Sequence, residues 1–452
     1  MNIGIVAWSL LENIGGLERN CCDLAAELNS RGHKVTLLCQ DNVSDGKKAI
    51  CRIPEGCRLA KLKLDYDTSS LDEARKTILA QQFDVVGALF SWESLLWFPS
   101  LLQGAGIPLV ISEHGKPEWI NSRWNAYERH CCLDCADLIH VLLHTFVAEY
   151  PKRFHDRIRV IPNAAVAPAS VPPVRSPSTR CTIISAGRLV ENPKQFSLLL
   201  KAFALLKDRY PDWDVEICGD GVSMNYYRQL AMKLGLTDRL RLPGMILDLT
   251  ERYAAGDIFC IPSKVEGFGM VTVEAQAFGL PVVGFAACSG VNEIVVHEEN
   301  GYLAEEMSAE CLARYLAKLM DDAGLRSRMG TRGRIMLERY APKRVFDAWE
   351  AMLLEAAERK GRTRLQEFEA MENISDPDFQ GVKELLGRKH PFDRSNYLLA
   401  HEKSKNEGEP SPFSDKEIAG FIKKQKKFGF PGYRSPLVEV KRLARRLAGG
   451  FR

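Results

Sequence analysis

The sequence has no apolar run long enough to cross a bilayer. Its longest hydrophobic stretches are the size of single strands, well short of the roughly 18 residues that a membrane-spanning helix needs. The first residues, MNIGIVAWSL, lack the basic start of a signal peptide, so they predict a buried strand and a cytoplasmic protein. An excess of charge is also missing, because 61 basic and 58 acidic residues leave a formal net charge of +3. The molecule as a whole therefore offers no electrostatic case for nucleic acid as a partner.

Patterns that bind metal ions are scarce as well. The chain has 13 cysteines, and the cluster of Cys131, Cys132 and Cys135 has no second paired motif at zinc spacing. Reduced, buried cysteines of a cytosolic protein are the better interpretation, with a zinc site as the alternative. No Asp-x-Asp pair is predicted to follow a strand and hold Mg²⁺ against a diphosphate. We therefore expect no metal cofactor.

Short apolar runs alternate with helical patterns along most of the chain. This alternation predicts parallel sheets that are covered by helices on both faces. At 452 residues the chain is too long for one core and suits two domains with an extension. The predicted strands are 3–7, 35–38, 85–90, 109–111, 138–142 and 158–161, then 182–186, 214–218, 240–242, 258–261 and 282–285.

A proline-rich segment separates the two series of strands. Residues 162–180 contain five prolines and no periodicity, which predicts a linker. We expect one doubly wound domain over 1–165 and a second over 178–340, with a cleft at the C-terminal ends of their sheets, where such sheets bind ligands. Residues 363–452 predict a polar extension, and 421–452 hold ten basic residues against one acid.

Two carboxylates lie close together in the second series. Glu266 follows the strand 258–261, and Glu274 lies eight residues later at the start of a predicted helix. Both side chains can accept hydrogen bonds from vicinal hydroxyls, which sugars and riboses present. The alternative is that Glu266 is a loop charge and that Glu274 only complements the helix dipole. The two residues alone do not decide between these interpretations.

Two cations follow the first strand of the second series. Arg188 and Lys194 lie between the strand 182–186 and a predicted helix, an arrangement that suits a diphosphate. Solvated loop cations are the alternative.

Further candidates lie at two helix starts and at one strand end. Ser289–Gly290 and Gly15–Gly16 precede helices and offer N–H groups to a phosphate, although neither pair matches G-x-G-x-x-G and a plain helix start remains the alternative. His114 follows the strand 109–111 and so falls at the predicted cleft, either as a ligand or as a structural histidine.

Together these segments resemble glycosyltransferase family 4, a group of retaining enzymes with the GT-B fold. The resemblance extends to about Glu358. It rests on E-x7-E at Glu266 and Glu274, G-R-L with a downstream lysine at 187–189 and Lys194, the glycine pair 15–16, G-D-G at 219–221, and G-x-x-E-I-V at 290–295. One departure is that the family commonly has Lys-Gly where this chain has Lys194-Gln195.

The resemblance implies two Rossmann-like domains, a helix over 341–358 that crosses back onto the first, and roles for the candidates. Arg188 and Lys194 would hold the donor diphosphate and stabilise the leaving group. Glu266 and His114 would contact the transferred sugar. Glu274 would bind the ribose hydroxyls, and the backbone near Met245 would contact the nucleobase. The other implied donor contacts are Gly15, Gly16, Gly267, Phe268, Gly269, Ser289, Gly290, Val291, Asn292 and Glu293.

The reaction implied by the resemblance is metal-independent transfer with retention of configuration. A hexose or N-acetylhexosamine would move from a nucleotide-sugar, expected to be a UDP-sugar, to a glycan or lipid-linked oligosaccharide in bacterial surface polysaccharide synthesis. The alternative outside catalysis is a GT-B subunit that binds nucleotide-sugar and regulates a partner. A glycogen- or sucrose-type synthase stays open within the transferases, whereas a dehydrogenase would need the absent G-x-G-x-x-G.

Aromatic and basic residues of the first domain suggest the acceptor side. Aromatic rings stack on sugars and basic groups favour anionic headgroups, while core packing is the alternative for each tryptophan. The residues concerned are Trp92, Trp97, Phe98, Trp119 and Trp124 with Lys116, Arg123 and Arg129. The basic stretch 421–452 predicts either a peripheral anchor on the inner face of the cell membrane or a solvated helix.

Overall fold

The computed structural model describes residues 1–7, 16–40, 53–62, 68–90, 97–121, 126–165 and 180–371, and the isolated positions 382 and 386. Met1–Gly387 form one compact unit, and the second unit, Arg388–Arg452, lies outside the described residues. The basic stretch 421–452 therefore stays a prediction. Within the described ranges, no helix is both long and apolar enough to cross a membrane.

The first domain is built on a parallel seven-stranded sheet in the order β3-β2-β1-β4-β5-β6-β7. Buried apolar residues fill the inner strands, as expected for a sheet covered on both faces. The strands are β1 (Asn2–Ala7), β2 (Lys34–Gln40), β3 (Arg58–Leu62), β4 (Val85–Phe90), β5 (Leu109–Glu113), β6 (Leu138–Val141) and β7 (Ile158–Val160). The helices are α1 (Gly16–Ser30), α2 (Thr68–Ala80), α3 (Trp97–Leu102), α4 (Pro117–Asn121), α5 (Ala126–Asp134) and α6 (His144–Val147).

The second domain repeats this architecture with a parallel six-stranded sheet in the order β10-β9-β8-β11-β12-β13. Its strands are β8 (Cys181–Ala186), β9 (Trp213–Cys218), β10 (Leu240–Arg241), β11 (Ile258–Ile261), β12 (Val282–Phe285) and β13 (Gly301–Ala304). Its helices are α7 (Glu191–Lys194), α8 (Phe196–Leu206), α9 (Met224–Leu234), α10 (Thr250–Ala255), α11 (Met270–Ala277), α12 (Ser289–Ile294), α13 (Ala309–Asp321) and α14 (Ala323–Met336). The prediction of two doubly wound parallel sheets is confirmed.

The strand order reverses once in each sheet, and these points decide where ligands can bind. In the second sheet the reversal falls between β8 and β11, so the loops after these strands face a shared crevice. Those loops carry Arg188 and Lys194 on one side and Glu266 on the other. The topology therefore brings the predicted cations and the first predicted carboxylate to one place.

The chain returns to the first domain after the second is complete. Helix α15 (Pro342–Ala357) buries Trp349 and Leu353 in the core that contains Ile3 and Val85. Helix α16 (Arg364–Ala370) follows, and the buried Asp137 accepts hydrogen bonds from Arg364 N at 2.8 Å and Arg359 Nε at 2.8 Å. The first residues of the predicted extension thus pack on the first domain.

The expectation that no Asp-x-Asp pair follows a strand is wrong, because the strand β3 was not predicted. This strand, RLAKL, has little burial at the edge of the sheet, so it shows no apolar run. Asp65 and Asp67 come shortly after its last residue, Leu62, so an Asp-x-Asp pair does follow a strand. The pair lies outside the described residues. The strand before it, β3, is the outer strand of the first sheet, whereas the candidate diphosphate residues follow a strand of the second. The expectation of no metal cofactor stays a prediction.

Candidate functional site

The loop after β8 presents Arg188 to solvent on a fixed backbone. Gly187 N donates to Cys218 O at 3.0 Å and Leu189 N donates to Asp220 O at 2.8 Å, while the Leu189 side chain is buried. Arg188 itself is exposed, and among the described residues no hydrogen bond or ion pair engages its guanidinium. A cation that is held in place and left without a counter-ion suits an anionic ligand.

Lys194 and Glu266 form an ion pair across the two loops. The Lys194 Nζ donates to both carboxylate oxygens of Glu266, at 2.7 and 3.0 Å. The side chains are 21% and 10% exposed. Lys264 N donates to Pro193 O at 2.9 Å, so the backbones of the loops are joined as well. Lys194, which is predicted to bind phosphate, and Glu266, which is predicted to bind the sugar, therefore hold each other in place.

Gln195 occupies the position where the family that the sequence resembles commonly has glycine. Its φ of 50° and ψ of 37° are left-handed, a conformation that costs an ordinary residue about 1–2 kcal/mol. The turn therefore keeps a glycine-like geometry despite the substitution, and it leads directly into α8.

Glu274 on α11 is oriented by a residue that sequence analysis missed. The Tyr253 hydroxyl donates to Glu274 Oε2 at 2.9 Å, and the Tyr253 ring is buried against Phe259. Burial and then the charge of Glu274 raise the pKa of Tyr253 well above its usual value, so the hydroxyl stays a donor. Helical spacing alone marks Tyr253 as core, which hides its polar contact.

The loop around α12 contains polar groups that are hydrogen-bonded within the loop and one hydroxyl that is not. The amides of Val291 and Asn292 donate to Cys288 O at 3.0 and 2.9 Å, and the Val291 side chain is buried. In contrast, Ser289 Oγ is buried with no hydrogen-bond partner in the described part of the chain. Gly290 packs so closely that an added Cβ would lie 2.7 Å from Glu266 Cβ. This loop therefore touches the ion pair through Gly290 and offers an unused hydroxyl through Ser289.

Three more predicted donor contacts lie around these loops. Met245 is 63% exposed and follows Gly244, whose carbonyl accepts from Gly219 N at 2.8 Å in the G-D-G turn. Gly269 precedes α11 with a φ of 89°. The buried Phe268 ring packs edge-on against the Tyr340 ring, with the ring centroids 5.3 Å apart. Phe268 is thus a packing residue, and only its backbone remains available to a ligand.

The first domain meets these loops at His114. An added Cβ on Gly267 would lie 2.1 Å from the His114 carbonyl oxygen, so only glycine permits this approach. An added Cβ on Gly16, at the start of α1, would lie 3.5 Å from Met270 Cγ at the start of α11. The structure therefore brings His114 and Gly16 to the candidate donor residues, while Gly15 lies outside the described residues.

Glu293 links the domains in the structure. Its Oε1 accepts hydrogen bonds from Thr145 N at 2.9 Å and from Thr145 Oγ1 at 2.7 Å, at the first turn of α6. A ligand that bound Oε1 of Glu293 would have to displace Thr145.

The predicted acceptor surface is only partly described. Arg129, proposed for it, is buried instead, because Glu113 accepts from Arg129 Nε at 2.7 Å and from its Nη2 at 2.5 Å. Phe98 is buried in the core, whereas Lys116 donates to Glu118 Oε2 at 2.7 Å. Trp119 is half-buried. The positions outside the described residues, or described by backbone alone, are Trp92, Trp97, Arg123 and Trp124.

Metal ligands do not assemble in the described ranges, where no group of three His, Cys, Asp or Glu side chains could hold an ion. Cys131, Cys132 and Cys135 are buried in or just after α5. The interpretation of buried, reduced cysteines fits this placement.

Comparison with protein families gives two matches that together cover most of the chain. The model of glycosyltransferase family 4 matches residues 14–165, and the model of glycosyl transferases group 1 matches residues 168–336. The first match covers the domain that carries His114, and the second covers the domain that carries the ion pair.

Individual relatives agree with these models. An uncharacterized glycosyltransferase of Haemophilus influenzae is 27% identical over 367 residues, which are 78% of this chain and 98% of that protein. The lipopolysaccharide core biosynthesis glycosyltransferase LpsE of Rhizobium meliloti is 31% identical over 179 residues, 39% of this chain and 51% of LpsE. The crystal structure of Anabaena HepE with UDP and glucose superposes with a TM-score of 0.65 at 20% identity, covering 78% of this chain and 99% of HepE. The GT-B fold is thereby confirmed.

Alanine substitutions at Lys194 and Glu266 test whether the ion pair joins the two loops. We expect the two substitutions to be coupled by about 0.5–3 kcal/mol in the free energy of unfolding, because each single variant leaves one partner without its counter-charge. Urea unfolding of the single and double variants, followed by circular dichroism, measures this coupling.

Arg188→Ala is the matched control, because Arg188 is an exposed cation on the same loop. It should change the free energy of unfolding by no more than about 0.5 kcal/mol. Additive effects of the Lys194 and Glu266 substitutions would contradict a pair that stabilises the site.

Proposed function

Because the chain belongs to glycosyltransferase family 4, we propose that it is a retaining enzyme that transfers a hexose or N-acetylhexosamine from a UDP-sugar. The acceptor in this proposal is a glycan or a lipid-linked oligosaccharide of bacterial surface polysaccharide synthesis. The observation that carries the proposal is the Lys194–Glu266 pair beside the exposed Arg188, at the strand reversal of the second sheet.

The cations suit the leaving group of such a reaction. As the bond between the sugar and the diphosphate breaks, negative charge develops on the departing nucleotide diphosphate. In this proposal Arg188 and Lys194 stabilise that charge without a metal ion, and donors fixed in advance need little reorganisation during the reaction. This pair of cations supports the proposal that no metal cofactor takes part.

The carboxylates suit the hydroxyls of the donor. Glu266, fixed by Lys194, can accept from hydroxyls of the transferred sugar, and Glu274, fixed by Tyr253, from the two ribose hydroxyls. The choice of UDP is supported by HepE, a structural neighbour that was crystallised with UDP and with UDP-glucose. The exposed Met245 beside the G-D-G turn is the proposed contact of the base.

Retention of configuration follows if the acceptor attacks from the side on which the diphosphate leaves. The acceptor hydroxyl forms the new bond to the anomeric carbon, its proton passes to the departing phosphate oxygen, and the old glycosidic oxygen leaves with the nucleotide. No side chain then acts as a nucleophile. The arrangement of fixed cations and hydroxyl-binding carboxylates, with neither carboxylate cast as a base, is consistent with this route.

Surface polysaccharide synthesis is supported by the similarity to LpsE, which covers about half of that protein. A lipid-linked acceptor implies work at the inner face of the membrane, and transfer to soluble small molecules alone would count against it. The alternative of a regulatory subunit predicts nucleotide-sugar binding without any turnover. Hydrolysis of the donor by the full chain, even if slow, would favour the enzyme over the regulatory subunit.

Removing either cation should slow the reaction strongly. Arg188→Ala and Lys194→Ala should each lower kcat by about 10²–10³-fold, because each removes a group that stabilises the departing diphosphate. Release of UDP from UDP-hexoses, with and without bacterial lipid-linked oligosaccharides, measures the effect. Arg209→Ala is the control, since it removes an exposed cation paired with Asp321. Arg209 lies between the end of α8 and the start of β9, at the end of the sheet opposite to the loops of the site. Wild-type turnover by both loop variants would refute the diphosphate site.

The basic stretch 421–452 is proposed as a peripheral membrane anchor. Replacing Lys441, Arg442, Arg445 and Arg446 by glutamine should weaken binding to anionic vesicles by roughly 4 kcal/mol, at about 1 kcal/mol per basic residue. Co-sedimentation of the full-length variant measures this, with neutral phosphatidylcholine vesicles as the control. Equal binding of variant and wild type to anionic vesicles would remove the anchor role. The substitutions are preferred to a truncation, because Leu365, Phe368 and Val382 are buried and removing the whole extension 363–452 would expose the core.

A further inference from the structure

Ser112 lies between two histidines at the C-terminal end of β5. Its hydroxyl is 2.8 Å from His114 Nε2 and 2.7 Å from His140 Nδ1. On the far side, His140 Nε2 is 2.7 Å from the carbonyl oxygen of Ile161. Ser112 and His140 are fully buried, whereas His114 is half-buried. The four groups form one continuous chain of hydrogen bonds that ends at a predicted site residue.

The carbonyl of Ile161 sets the direction of every bond in this chain. A carbonyl oxygen only accepts, so His140 must carry its proton on Nε2. A neutral His140 then has a bare Nδ1, which accepts the hydrogen of Ser112. Since the Ser112 hydrogen is used there, its oxygen accepts from His114 Nε2. His114 is left with a proton on Nε2 and a lone pair on Nδ1.

The reverse direction requires a charged His140, and the surroundings oppose that. The Trp349 ring packs against His140 with ring centroids 4.3 Å apart. Burial lowers the pKa of His140 to about 4, and burial together with His140 lowers the pKa of His114 to about 3. The adjacent carboxylate of Glu113 supplies no counter-charge, because Arg129 and the Tyr150 hydroxyl bond to it on the opposite face of β5.

We propose that Ser112 is a positioning residue that fixes His114 in the tautomer protonated at Nε2, so that Nδ1 accepts a hydrogen bond from a hydroxyl of the bound sugar. The fixed tautomer follows from the hydrogen-bond chain alone, while the sugar as its partner rests on the proposed function. Two consequences follow. His114 recognises a donor group on its ligand, and it does not deliver a proton to the reaction.

Nitrogen NMR on the full-length protein tests the tautomer directly. With ¹⁵N-labelled histidine, the two ring nitrogens of His114 should show the pattern of a neutral ring protonated at Nε2 at pH 7, and a His114→Gln variant assigns these resonances. A proton on Nδ1 in the wild type, or a rapidly exchanging mixture of tautomers, would overturn the proposal. This measurement needs no substitution in the chain of hydrogen bonds.

Substitution of Ser112 tests the positioning role. Ser112→Ala should release His114 into a mixture of tautomers and lower kcat by about 10–100-fold, by analogy with residues that orient metal-binding histidines. Ser112→Thr, which keeps the hydroxyl, should retain both the fixed tautomer of His114 and the wild-type kcat. Ser185→Ala is the matched control, since Ser185 is an equally buried serine on β8 whose hydroxyl donates to Cys260 O at 2.6 Å, and it should leave the His114 resonances unchanged.

The outcomes separate this proposal from the proposed function. An unchanged His114 tautomer in Ser112→Ala would overturn the role of Ser112, whatever the activity. A tautomer that is fixed in the wild type and lost in Ser112→Ala upholds that role. If the wild type then fails to turn over any UDP-sugar, the failure falls on the proposed function alone.

Discussion

The ion pair between Lys194 and Glu266 is the interaction on which the rest of the site depends. It joins the loops after β8 and β11, which flank the strand reversal of the second sheet, and Gly290 packs against its carboxylate partner Glu266. A donor diphosphate that approaches Lys194 meets a cation already held in position. Fixing charged groups before the ligand arrives is what makes electrostatic stabilisation effective in a site of this kind.

The second constraint is that neither domain completes the site alone. Gly267 lets the loop after β11 rest on the His114 carbonyl, and Glu293 bonds to Thr145 across the same boundary. Helix α15 returns to the first domain and packs Trp349 against His140, behind the hydrogen-bond chain of Ser112. The position of His114 thus depends on the sheet that carries it, on the opposing loop and on the returning helix.

The sequence predicted the strands and helices that clear apolar patterns specify. It missed the elements and the contacts that leave no such pattern. The inner strands are buried runs and were found, whereas two edge strands were missed. β3 is largely exposed and was missed together with the Asp-x-Asp pair after it, and β13, although mostly buried, is only four residues long. Arg129 was placed on a surface, because its partner Glu113 is distant in sequence. Tyr253 and His140 were overlooked, because their roles depend on contacts between elements that no local motif records.

Thermal unfolding of the full chain with UDP-, GDP- and ADP-sugars tests the central claim, that the Lys194–Glu266 pair belongs to a nucleotide-sugar site. At about 100 times its dissociation constant, a bound donor adds roughly 2.7 kcal/mol to the stability of the folded state. We expect a UDP-sugar to raise the melting temperature of the wild type, and the same concentration to do so much less in Lys194→Ala. No stabilisation by any of these nucleotide-sugars, or equal stabilisation of both proteins, would contradict it.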